Sequence, residues 1–95
     1  MTNKTVKQKA FPWKKIWEEF EAWCESQKDY PYEWFEQEPT LQRLIKKYRP
    51  VQYVRTDWKK VWNAFADAYN VKQWREWDPQ KKCIQKCVLK YSTKR

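Results

Sequence analysis

Trp13-Lys14-Lys15-Ile16-Trp17, followed by Phe20, and Trp58-Lys59-Lys60-Val61-Trp62, followed by Phe65, are nearly one phrase written twice, 45 residues apart. Apolar side chains that return every three or four positions lie on one face of an α-helix. In the first copy Trp13, Ile16, Trp17, Phe20, Trp23 and Cys24 make such a stripe, and Pro12 suits a first helical turn. A helix over about 12–27 is predicted. In the second copy Trp58, Val61, Trp62, Phe65, Ala68 and Tyr69 repeat the stripe, with Thr56 or Asp57 able to cap it and Asn70 a plausible end.

Two later matches extend the repeat. Trp34-Phe35-Glu36-Gln37-Glu38-Pro39 parallels Trp74-Arg75-Glu76-Trp77-Asp78-Pro79 at an offset of 40. Leu41, Leu44, Ile45 and Tyr48 parallel Ile84, Cys87, Val88 and Tyr91 at an offset of 43. Each Trp-bearing segment is expected to form a short turn. Glu38-Pro39 and Asp78-Pro79 then read as an acidic cap before Pro at the first helical position, opening helices that run to Tyr48 and Tyr91. Arg49-Pro50-Val51-Gln52-Tyr53-Val54-Arg55 reads as extended, since Pro50 biases Arg49 away from helix. The expected fold is all-α: one small helical domain of two tandem helix-loop-helix repeats, with about four main helices. A flexible basic tail over 1–11 precedes repeat one (12–48). A linker (49–56), repeat two (57–91) and a basic tail (92–95) follow.

Composition narrows the chemistry. The 95 residues include 8 Trp, 6 Tyr and 4 Phe, more rings than the 12 Val, Ile and Leu together, and neither Gly nor His. Large rings bury apolar area with few residues, which matters in a chain this short. Without Gly there is no glycine-rich phosphate loop or dinucleotide fingerprint. Without His there is no imidazole base, no Ser-His or Cys-His pair and no His metal ligand. The three cysteines, Cys24, Cys83 and Cys87, supply too few ligands for a zinc site. No enzyme activity, metal or cofactor is expected. An odd, low cysteine count without a secretory signal predicts reduced thiols and a cytoplasmic protein, and no apolar run is long enough for a membrane span. Cys87, opposite Leu44, is expected in the core, and Cys83, opposite Thr40, nearer the surface.

Charge is segregated. The net +9 divides into +5 over residues 1–17, −7 over 18–38, +6 over 39–63, −1 over 64–79 and +6 over 80–95. Arg43, Lys46, Lys47 and Arg49 in one copy, and Lys81, Lys82, Lys86 and Lys90 in the other, occupy comparable places. With Arg55, Lys59 and Lys60 they are the candidate nucleic-acid-binding residues, because clustered cations attract phosphates and release counterions. Glu18, Glu19, Glu21 and Glu25 in copy one fall opposite Asn63, Ala64, Ala66 and Asn70 in copy two. An outer face of Ala and Asn predicts that the second copy's first helix is either covered by another element, the favoured reading, or offers a flat docking face to a partner.

Two functions from different classes are therefore in view. The first is a nucleic-acid-binding protein, DNA or RNA, acting through the basic helices. The second is a protein-binding inhibitor or adaptor using the acidic 18–38 region, by analogy of size and composition with phage products that block host machinery. Its contact aromatics would be those without a counterpart in the other copy: Tyr30, Tyr32, Tyr53 and Trp77.

Overall fold

The computed structural model describes residues 10–94, which fold into four helices and two short strands. The expected basic tail over 1–11 lies largely outside the described residues. Phe11, at its end, is buried and stacks on Trp13. The chain divides into two compact units, one ending at Gln52 and the next beginning at Tyr53.

The first unit is a helical pair. Helix α1 runs Trp13–Ser26, close to the predicted span. Its apolar stripe buries Ile16, Trp17, Phe20 and Cys24. It stops where Gln27 turns extended and donates its N–H to the Cys24 carbonyl at 3.3 Å. Ser26 Oγ and Gln27 Nε2 both donate to the Trp23 carbonyl, occupying a helix-end acceptor that has no intrahelical donor. Helix α2 runs Trp34–Tyr48 and buries Leu41, Leu44 and Ile45 against α1. Each fully buried aliphatic or aromatic side chain of this kind stabilises the fold by roughly 1.5–3 kcal/mol.

The start of α2 corrects the expectation. The helix does not open at Pro39; it begins five residues earlier and Pro39 lies inside it. The stronger signal is Glu33, whose side chain accepts from the Glu36 backbone while the Glu36 side chain accepts from the Glu33 N–H at 3.3 Å. That reciprocal pair satisfies two orphan donors at once. Pro39 lacks the N–H that would otherwise bond the Phe35 carbonyl, a loss confined to the N-terminal part of the helix.

The second unit contains β1 (Tyr53–Thr56), α3 (Trp58–Lys72), α4 (Trp77–Lys90) and β2 (Ser92–Lys94). Asp57 caps α3, accepting from the Lys60 N–H at 3.3 Å. Helix α3 continues past Asn70 to Gln73, which takes the left-handed conformation (φ 50°, ψ 50°) and donates to the Tyr69 carbonyl at 2.7 Å. A chain without glycine must place another residue in that conformation. Helix α4 begins at Trp77 behind Glu76, so Pro79 is its third residue rather than its first, still within the turn whose N–H groups lack intrahelical acceptors. Gln80, Ile84 and Val88 are its buried positions.

The segment expected as linker holds β1, and the expected C-terminal basic tail is β2. They pair antiparallel, Tyr53 opposite Lys94 and Thr56 opposite Ser92, with an irregularity between Tyr53 and Arg55. Thr56 Oγ1 and Ser92 Oγ are 2.8 Å apart, and Asp57 donates its N–H to the Tyr91 carbonyl at 2.9 Å. The ribbon thus joins the two ends of the unit. Helix α3 is not covered on its outer side: Asn63, Ala66 and Asn70 are exposed.

The aromatic contacts of the two units run in parallel. Trp13 stacks on Trp17 and Trp58 on Trp62, with centroids 6.2 and 5.8 Å apart. Trp17 meets Phe20, and Trp62 meets Phe65, edge to face. Phe20 stacks on Trp34 and Phe65 on Trp74. The frame of α2 and α4, however, follows the offset of 43, while α1 and α3 keep the offset of 45. Glu33 and Glu76 are both N-caps, and Gln37 and Gln80 are both buried, each donating Nε2 to a carbonyl six residues back. Trp77 therefore stands where Trp34 stands, not opposite Gln37, while the ring that packs on Phe65 comes from the preceding loop.

Candidate ligand site: a lysine-rimmed groove between α3 and α4

The basic residues distribute unevenly between the units. From Tyr53 onward there are eleven Lys and Arg against four Asp and Glu, or +7 of the net +9. In the first unit much of the α2 charge is engaged or withdrawn. Lys47 Nζ lies 3.4 Å from Glu19 Oε1, and the Tyr48 hydroxyl donates to the same carboxylate. Arg49 is half-buried beside a hollow lined by Pro12, Tyr48, Pro50 and Val51, and desolvation lowers its guanidinium pKa. Arg43 and Lys46 remain exposed.

In the second unit Arg55, Lys59, Lys60, Lys82, Lys86 and Lys90 are exposed, while Lys81 is partly buried and 3.8 Å from Asp78. Arg55 borders a small hollow with Asp57 and Trp58, close to the ribbon. Lys82, Lys86 and Lys90 follow one another at the four-residue spacing that puts them on one side of α4. Lys90 lies over the Tyr91 ring at 5.4 Å. Among the described residues neither Lys82 nor Lys86 has an acidic partner.

Lys82 and Lys86 border a concavity in the second unit. It has a volume of about 660 Å³ and lies between the C-terminal half of α3 and the N-terminal half of α4. Ala68, Val71, Trp74, Pro79 and Cys83 give it an almost wholly apolar lining. Lys72, Lys82 and Lys86 stand at it with a single acid, Asp67. Trp74 is anchored in place by Phe65 and, edge to face, by Tyr69. Ala68 lines the groove; 45 residues earlier α1 carries Trp23, whose ring stacks on Phe20. The contrast between Trp23 and Ala68 is legible in the sequence, but the ring that lines the groove is Trp74, which the sequence comparison pairs with Trp34, and not one of the unpaired aromatics.

Those unmatched aromatics have mixed placements. Tyr30 is exposed, with its ring 4.7 Å from that of Tyr32 and a hydrogen bond to the buried Cys24 thiol. Tyr32 is 82% exposed and Phe35, not anticipated, 71%. Tyr53 is half-buried with Lys94 over its ring, and Trp77 is half-buried with Lys81 at 6.0 Å. The site residues expected from sequence are thus not brought into one cluster within either unit.

The cysteines are free thiols. Cys24 is buried, and burial raises its pKa against the opposing Tyr30 hydrogen bond. Cys83 and Cys87 are both half-buried, so Cys87 is less enclosed than its alignment with Leu44 implied. Burial and the neighbouring Cys83 push the Cys87 thiol up to about 11. No group of metal-ligating side chains is found among the described residues, and none of their helices is long and apolar enough to cross a membrane. No protein family, curated protein or solved structure matches the chain.

Proposed function

We propose that the protein binds nucleic acid, chiefly through its second unit. The observation that carries this reading is the concentration of +7 on a unit whose α4 displays Lys82 and Lys86 without acidic partners, beside Lys72. Lysines held apart from carboxylates are available to replace the counterions of a phosphate backbone, a contact that gains from counterion release and weakens steeply with salt. The absence of His and Gly, the lack of a metal-ligand cluster among the described residues and the unmatched cysteine thiols support binding rather than catalysis, in a reducing cytoplasm.

The test is fluorescence anisotropy of a labelled mixed-sequence oligonucleotide at low and at physiological salt. Binding that falls at least about tenfold over a fourfold rise in salt is expected, with further loss in Lys82→Glu/Lys86→Glu. No binding at low salt would overturn the reading. A second reading is favoured by one observation: Tyr32 and Phe35 are exposed beside the acidic run of the first unit. Exposed rings in that setting suit a protein partner, and nuclease-resistant recovery of one stoichiometric protein, lost in Tyr32→Ala/Phe35→Ala, would identify it.

A further inference from the structure

We infer that the groove between α3 and α4 seats unpaired bases, so that the ligand is a single-stranded nucleic acid. This rests on the proposed nucleic-acid binding and names its substrate class. The groove combines two surfaces that a single strand needs together. Its walls, Ala68, Val71, Trp74, Pro79 and Cys83, are apolar, and Lys72, Lys82 and Lys86 stand beside them. An unpaired base offers a planar apolar face with its phosphate a short distance away, and aromatic side chains next to cations bind such bases with little sequence preference.

A duplex keeps its base faces stacked inside, so it would meet the lysines and leave the apolar walls facing water. The volume of about 660 Å³ lies within the roughly 300–1,000 Å³ of clefts that hold small-molecule ligands. Trp74 is already held by Phe65 and Tyr69, so presenting its ring to a base requires no reordering of that side chain. In the first unit the residue 45 positions before Ala68 is Trp23, whose ring stacks on Phe20.

The experiment compares a short labelled single strand with the duplex of the same sequence, using the full chain. The single strand is expected to bind at least about fivefold more tightly, the effect of one base stacked on an aromatic side chain. Ala68→Trp, which copies the arrangement around Trp23, should abolish that preference while leaving the salt dependence of duplex binding unchanged. Wild-type protein provides a second measurement free of folding effects. Cys83 lines the groove, so bound single strand should slow its alkylation by iodoacetamide and duplex should not. Equal affinity for both forms, or a preference that survives in folded Ala68→Trp, or unprotected Cys83 in the saturated complex, would overturn the inference and leave nucleic-acid binding standing. Absence of binding to either form at low salt would overturn both.

Discussion

Phe65 is the residue on which the second unit's packing converges. Its ring is 4% exposed and meets Trp62 edge to face at 6.3 Å, Tyr69 at 6.0 Å and Trp74 at 6.4 Å. Phe65→Ala removes the buried ring and leaves a cavity among three aromatics that cannot all collapse onto it. Core Phe→Ala changes cost about 3–5 kcal/mol. At about 0.05–0.15 kcal/mol per residue, a chain of this length has roughly 5–14 kcal/mol in total, so the loss is a large part of it. With a urea slope of about 1 kcal/mol/M for a small protein, the midpoint should fall by about 3–5 M. Phe65→Leu keeps much of the volume and gives up the three ring contacts, each worth about 0.5–1.5 kcal/mol, so a fall of at least about 1.5 M, smaller than that of Phe65→Ala, is expected. Urea titration followed by Trp fluorescence and far-ultraviolet circular dichroism reads both variants, with Phe35→Ala, at an exposed position, as a control expected within about 0.5 kcal/mol of wild type. A Phe65→Ala midpoint within about 0.5 M of wild type would refute the packing argument.

Three further outcomes follow from individual sites. Gln73→Gly relieves the left-handed backbone at the end of α3, and a stability gain of up to about 1 kcal/mol in thermal or urea unfolding is expected, reduced by the added freedom of the unfolded glycine. Asp57→Ala removes the acceptor for the Lys60 N–H and should cost about 0.5–2 kcal/mol in the same assay. The Cys87 thiol, raised to about 11, should alkylate at neutral pH about 300-fold more slowly than a thiol near 8.5, its rate climbing about tenfold per pH unit. Because its folded pKa is the higher one, its contribution to stability is present below the unfolded value and is lost as pH rises through about 11. Cleavage after Lys82 and Lys86 places Cys83 and Cys87 on separate peptides, so mass spectrometry follows each thiol; a Cys87 rate like that of a free thiol at pH 7.5 would contradict the burial.

The helices were legible because their stripes are long and ring-rich: Trp13 to Cys24 and Trp58 to Tyr69 each mark one face over several turns. Proline was the misleading signal. Pro39 and Pro79 look like first helical positions, yet both sit inside helices whose true starts are marked by Glu33 with its reciprocal partner Glu36, and by Glu76. The ribbon escaped detection because its strands are three or four residues long and separated by both helices of the unit, so no hairpin turn announces them. The lysines were visible as cations but not as a site, since sequence alone does not show that Lys47 meets Glu19 whereas Lys82 and Lys86 border an apolar groove. One of the groove's walls is a small residue, Ala68, and a small residue carries no signal in the sequence until compared with Trp23, 45 positions earlier.

The most direct measurement is the salt dependence of single-strand binding by wild type and by Lys72→Gln/Lys82→Gln/Lys86→Gln. Each phosphate contact on a single strand contributes about 0.7 to the slope of log affinity against log salt, so losing three should reduce its magnitude by about 2. Between about 50 and 200 mM salt that difference amounts to about 20-fold in affinity. A slope lowered by about 2, with the variant's melting temperature unchanged, is the expected result. Undetectable wild-type binding at low salt, or an unchanged slope in the folded variant, would contradict the assignment of nucleic-acid binding to these lysines.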